Sequence, residues 1–242
     1  MISKGKPEPV AILRENWFMI NTRSSWISLL EWAEENQWRF GEGYFERGEG
    51  SCYINYSWKP DLITPFVKCI LNRSGVEQGA KILDFGCAKG FYVKVLYQLG
   101  FDPLGIDISE YALSKSPEDI RDRLFLLKEH PLELVEPYHF NLTIAKDVLE
   151  HVPEDALKYL LGQLRRISEK LFIIVPICNE NREYINAGDE LDWSHQIRYT
   201  LAEWMELLDG AVMEPELCEQ IKRDKSQGSL CCLLLCNPPC PG

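Results

Sequence analysis

Long apolar runs are missing from this 242-residue chain. No stretch reaches the roughly 18 uninterrupted apolar residues of a membrane-spanning helix, so no membrane span is expected. Residues 1–9 are polar and hold no apolar segment, so no secretory leader is expected either. Basic charge is also scarce: 26 Lys and Arg against 37 Asp and Glu leave a formal net charge of −11. An acidic surface repels phosphate backbones, which argues against a nucleic-acid partner. The basic clusters, Arg165-Arg166 and Lys222-Arg223, are short. Nine cysteines are present without one C-x-x-C pair, the spacing from which structural zinc sites are usually built. Five of them crowd the end of the chain: Cys218, Cys231, Cys232, Cys236 and Cys240. The run CCLLLC reads as a buried strand containing ordinary small core residues, so no metal site is assigned. Free thiols with no leader predict a cytoplasmic protein.

What is present is enough apolar content, 45%, for one large domain with a continuous core. Residues 1–60 form an extension rich in tryptophan: Trp17, Trp26, Trp32, Trp38 and Trp58. Ser24 and Ser25 are placed to cap a helix over 26–38, with Trp26, Leu29, Leu30 and Ala33 on one face. The glycine-rich stretch 41–50 reads as a loop. A helical pattern then runs through Leu62, Phe66, Cys69, Ile70 and Leu71.

From residue 80 short apolar runs alternate with amphipathic stretches. Strands are expected at 81–85, 104–108, 123–127, 141–145 and 171–175, with a final pair near 211–217 and 229–236. Ser109 and Thr200 are predicted helix caps, and Pro153 suits a first helical position. This order predicts an α/β fold in residues 61–242: a doubly wound, mostly parallel, seven-stranded sheet with helices on both faces.

Ligands of such sheets sit beyond the carboxyl ends of the strands, where strand order reverses. The first such end reads Asp84-Phe85-Gly86-Cys87-Ala88-Lys89-Gly90. Gly86 and Gly90 admit close backbone approach, and the helix that follows offers free amides. The second strand ends at Asp107, where an acid can accept hydrogen bonds from both hydroxyls of an adenosine ribose. The spacing is G-x-x-x-G rather than the dinucleotide G-x-G-x-x-G.

ILDFGCAKG closely resembles motif I of class I methyltransferases, which use S-adenosylmethionine (SAM), although Ala88 stands where that motif has its middle glycine. GIDIS at 105–109 resembles the family's ribose-binding segment, and KDVLEHVPED at 146–155 its fourth-strand segment. LFIIVP at 171–176 is similar to the fifth strand. LDWSHQIRYTLAEWMELL at 191–208 resembles the segment before the penultimate helix of many small-molecule enzymes of this kind. The resemblance implies SAM as cofactor and a small-molecule methyl acceptor. It places Gly86, Cys87 and Gly90 along the methionine part of the cofactor, with Asp84 at its ammonium. Asp107 and Ile108 fall on the ribose, Glu129 near the adenine, and Asp147, Val148 and Leu149 in the pocket. Asn237-Pro238-Pro239 is similar to a motif of amino-methylating DNA enzymes, but it lies far from the fourth strand where that motif belongs.

A sulfonium methyl is already electrophilic, so alignment and water exclusion carry much of the chemistry, and a hydroxyl acceptor also needs a base or a metal. Of four histidines, His195 is the first candidate base, with Asp192 placed to orient its ring or share a metal. His151 is the second. The extension is expected to act as a lid, with Tyr53 or Tyr56 near the ligand. Two other readings stay open: a catalytically silent SAM-binding module, and a nicotinamide-dependent oxidoreductase. The second lacks both its glycine spacing and a Tyr-x-x-x-Lys pair after the fourth strand.

Overall fold

The computed structural model describes residues 23–130, 132–213 and 228–236. The sheet is built on β1 (Lys81–Phe85), whose KILDF sequence is buried after its first residue. On one side β1 pairs with β2 (Asp102–Asp107), and β2 with β3 (Leu124–Leu126). On the other lie β4 (Leu142–Lys146) and then β5 (Lys170–Pro176). All five strands are parallel, while β6 (Val212–Met213) and β7 (Ser229–Leu235) complete the sheet in antiparallel fashion. The order is β3-β2-β1-β4-β5-β7-β6, so the chain reverses direction across the sheet between β1 and β4. A crevice must open at the carboxyl ends of those two strands, because the connections after them leave on opposite sides.

Period-two alternation sorts the strand residues into two cores. Leu83, Phe85, Ala145, Ile173 and Val175 face α1 (Arg23–Asn36), α6 (Glu154–Ile167) and α7 (Leu201–Leu207). Ile82, Ile144, Phe172 and Ile174 face α3 (Pro60–Ser74) and α4 (Phe91–Gln98). Cys231 is buried against the second core and Cys232 in the first, as a strand with both faces covered requires. Cys218, Cys240, Trp17, the pair Lys222-Arg223 and the Asn237-Pro238-Pro239 motif lie outside the described residues.

Local signals account for most boundaries. Ser109 caps the short α5 (Glu110–Ser114) by accepting the Ala112 N–H at 2.9 Å. Thr200 and Glu203 form a reciprocal capping box at the start of α7. Three expectations are corrected. Ser24 and Ser25 lie inside α1 rather than ahead of it. Pro153 is the N-cap of α6, with extended ψ, and the helix proper starts at Glu154. The stretch read as a loop at 41–50 contains a helix, α2 (Glu42–Glu46), before its glycine turn. Burial of Tyr44 and Phe45 in an aromatic cluster with Phe40 explains this helix, since packing outweighs the poor helix propensity of glycine. The described part of the extension also shares the main core, because Leu29 of α1 packs in the α6 layer.

Candidate active site

A cavity of about 130 Å³ opens at the strand-order reversal. Its floor is the β1 end: Asp84, Phe85, Gly86, Cys87 and Ala88. Gly86 has φ +79°, and a Cβ there would fall 2.5 Å from Val148 Cγ2, so only glycine lets this turn lie against the β4 end. Ala88 also adopts the left-handed region, with φ +48°. Its N–H donates to Asp107 Oδ2 at 2.7 Å, and the Ser109 N–H donates to Oδ1 at 2.7 Å. Each Asp107 oxygen keeps a lone pair for a further donor. Burial raises the Asp107 carboxyl above its ordinary value, against the opposing pull of these backbone hydrogen bonds.

Asp84 is buried, lines the cavity and makes no hydrogen bond among the described residues. Burial, and secondly the charge of Asp107, push its carboxyl up to about 7, with Lys146 opposing. A buried carboxylate of this kind calls for a cationic ligand group. At the β4 end Asp147 takes φ +50° and is ion-paired to Lys146, and both line the cavity with Val148. Ile108 lines it from the β2 side.

The structure does not bring every sequence candidate to the cavity wall. Gly90 is a packing glycine: with φ +75°, a Cβ there would meet Ile120 Cδ1 at 2.7 Å. Leu149 is fully buried in the core. Glu129 lies in the single turn Leu127–Glu129, and it is Leu127 that lines the cavity. His195 is likewise absent from the wall, whereas His151 is on it. Sequence reasoning missed Lys146, and it missed the aromatic roof of Trp32, Phe40, Tyr44, Phe45 and Tyr92, which joins Tyr53 and Tyr56. Lys89, 6% exposed, ties this roof down: its ammonium donates to Glu46 Oε1 at 2.5 Å and to the Tyr56 carbonyl at 2.6 Å.

Beside the cavity, two loops distant in sequence are stitched together. The Gln196 and Ile197 N–H groups donate to the Glu150 carbonyl at 2.8 and 3.0 Å. Gln196 Nε2 donates to the His151 carbonyl at 2.8 Å. Asp192, buried, accepts from the Tyr44 hydroxyl at 2.6 Å, from the Ser194 N–H at 3.0 Å and from the Ser194 hydroxyl. Burial raises the Tyr44 phenol well above its ordinary value, which keeps it a donor. Ser194 Oγ also lies 2.9 Å from His151 Nδ1. The serine's single proton goes to Asp192, so Nδ1–H must donate to Oγ, which leaves the basic lone pair of His151 on Nε2.

His195 Nε2 lies 3.8 Å from Asp192 Oδ2 and 3.9 Å from Glu150 Oε1, and its ring centroid is 4.7 Å from that of His151. Glu150, His151 and His195 place ligand-type atoms within 4.8 Å of one another, a set able to hold a divalent cation where sequence reasoning assigned none.

Residues 61–209 match the model of a methyltransferase domain. Over 111 residues the chain is 32% identical to a ubiquinone biosynthesis O-methyltransferase of Methylococcus capsulatus, an alignment covering 41% of this chain and 47% of the relative. The chain thus spans about half the length of the curated relative it matches. A Burkholderia thailandensis 1,6-didemethyltoxoflavin-N1-methyltransferase, solved with its acceptor and S-adenosylhomocysteine (SAH), superposes with a TM-score of 0.57 at 16% identity, covering 85% of this chain and 88% of that one. The PH0226 protein of Pyrococcus horikoshii superposes at 0.53 and 16% identity, over 84% and 98% of the two chains. These two likenesses concern the fold.

Proposed function

This chain belongs to the methyltransferase-domain family, and we propose that, with SAM as methyl donor, it methylates a small molecule at oxygen or nitrogen, with His151 as the proton acceptor. The observation that carries this reading is the buried chain Tyr44–Asp192–Ser194–His151, which ends on the wall of the cofactor cavity. In the proposed arrangement Asp107 holds the ribose, Asp84 faces the ammonium group, and the Gly86–Ala88 turn supports the methionine portion. Phe40, Tyr44, Phe45, Tyr53 and Tyr56 roof the site and exclude water, which is the lid role expected of the extension.

Bound there, SAM would supply a sulfonium-activated methyl group to the acceptor oxygen and leave as SAH with the electron pair of the broken S–CH₃ bond. The acceptor proton passes to His151 Nε2, and Asp192, through Ser194, stabilises the imidazolium. An amine acceptor uses the same geometry and loses its proton after transfer. His195 packs behind His151, in the position of a supporting group.

SAH release can be measured in the presence of SAM and fractionated small-molecule extract. His151→Ala should lower release by about 10²-fold while leaving SAH affinity within about twofold. Activity confined to macromolecular fractions, or an unchanged rate in His151→Ala, would remove this reading. The Glu150, His151 and His195 cluster favours a second one, in which a divalent cation acidifies the acceptor hydroxyl directly. Loss of SAH release on chelation, with recovery on adding Mg²⁺ or Zn²⁺, would select it.

A further inference from the structure

A second and larger cavity, of about 770 Å³, lies on the other side of Tyr44, which lines both. Its volume falls in the range of pockets that hold small organic ligands. Trp38, Arg39, Gly50, Trp193 and Ser194 also line it. Trp38 and Trp193 are 73% and 81% exposed. Isolated exposed aromatics are common, but here two exposed indoles converge on one concavity.

Neither is there by default. The Trp193 N–H donates to the Gly50 carbonyl at 3.0 Å, which fixes the backbone while the indole faces solvent. A Cβ on Gly50 would lie 3.6 Å from the Trp193 ring, so the turn at φ +73° sits directly against it. Trp38 lies within the turn Gln37–Phe40, whose Phe40 is anchored in the aromatic roof. The Arg39 guanidinium carbon lies 5.6 Å from the Trp38 ring centroid. Nearby Arg47 is neutralised by Glu42 and Glu49, whereas Arg39 makes no ion pair among the described residues. The cavity therefore pairs two aromatic faces with the Arg39 cation, while the one carboxylate of its lining, Glu49, is already paired with Arg47.

We infer that this cleft is the acceptor site and that it takes a planar aromatic molecule bearing a carboxylate or similar anionic group. The ring stacks on Trp38 and Trp193, the anion meets Arg39, and the group to be methylated points past Tyr44 toward the cofactor cavity. Stacking supplies area and orientation, and the guanidinium supplies selectivity for the anion. Because Ser194 and Tyr44 line the cleft and belong to the His151 hydrogen-bond chain, substrate contact and proton acceptance are mechanically joined. This inference rests on the methyltransferase reading above, but its test separates the two.

The protein is first titrated with SAH by calorimetry, and absence of SAH binding would defeat the methyltransferase reading itself. The SAH-loaded protein is then titrated with 4-hydroxybenzoate, phenol and trans-4-hydroxycyclohexanecarboxylate, with tryptophan fluorescence as the readout. We expect quenching by 4-hydroxybenzoate at an affinity at least tenfold above that of the saturated analogue. Trp38→Ala and Trp193→Ala should each weaken it about tenfold. Arg39→Gln should weaken 4-hydroxybenzoate about five- to tenfold and leave phenol unchanged. All three variants should bind SAH normally, since the side chains are exposed, and this confirms that they fold. Normal SAH binding with no response to 4-hydroxybenzoate, with equal binding of the saturated analogue, or with unchanged affinity in both tryptophan variants would overturn the inference.

Discussion

Ala88 illustrates how the site is held at the scale of one residue. Alanine at φ +48° carries a steric penalty of about 1 kcal/mol that glycine would not. The strain persists because the Ala88 N–H is fixed by Asp107, the carboxylate assigned to the cofactor ribose. Ala88→Gly should therefore raise the thermal midpoint of the ligand-free protein by about 2–4 °C with SAH affinity within about threefold, as scanning calorimetry and titration can show. A lower midpoint would mean that the added chain entropy of glycine exceeds the strain relieved. His151 and His195 carry a related lesson. Resemblance ranked His195 first, because its segment is similar to a family region near the active-site mouth. The folded chain instead places His151 on the cavity wall and His195 behind it.

At the scale of elements, α2 is the part of the extension that is tied to the turn after β1. It is only five residues long and too short to hold its shape alone. Lys89, in the turn after β1, supplies the tether through Glu46 and the Tyr56 carbonyl, and it holds the Glu46 carboxyl below the usual carboxylate range. Lys89→Met keeps the apolar stem but removes the cation from the Glu46 carboxylate, leaving it the Tyr111 hydroxyl, and takes from the Tyr56 carbonyl its ammonium donor. We expect a loss of about 2 kcal/mol in chemical denaturation, together with a loss of SAH affinity of tenfold or more. A destabilised variant with normal SAH affinity would show that the roof is not needed to hold the cofactor.

For the whole molecule, Asp84 links stability to ligand and pH. Its carboxyl sits at about 7 in the fold against an ordinary value near 3.8. The folded state therefore holds a proton that the unfolded chain releases, and ligand-free stability falls as pH rises from about 4 to about 7. A cationic ammonium beside Asp84 reverses the effect by favouring the charged form. Asp84→Asn should accordingly raise ligand-free stability at pH 8, by about 1–3 kcal/mol, and flatten its pH dependence between 4 and 7. The same variant should lose most of the SAH-induced rise in melting temperature, about 5–10 °C at a hundredfold excess over Kd in the native protein. A variant that kept the full SAH shift would dissociate Asp84 from the cofactor ammonium.

Periodicity, caps and the glycine motif, all local in origin, sufficed to place the strands, the helices after them, and the β1 and β2 ends bearing Asp84, Gly86 and Asp107. Parallel strands buried on both faces read as plain apolar runs, and their order in the sheet follows from few connection rules. Gly90 and Leu149 do not line the cavity, because a motif gives adjacency in sequence, whereas lining depends on which way each residue turns. The aromatic roof, the Lys89 tether and the Asp192–Ser194–His151 chain join residues separated by dozens of positions. No local pattern encodes such contacts. The cofactor half of this protein was thus written in its sequence, as one βα unit with an acid at each end. The acceptor half was decided by tertiary structure alone, because it is assembled from a turn near Trp38 and a loop at Trp193 that are far apart in sequence and meet only in the folded chain.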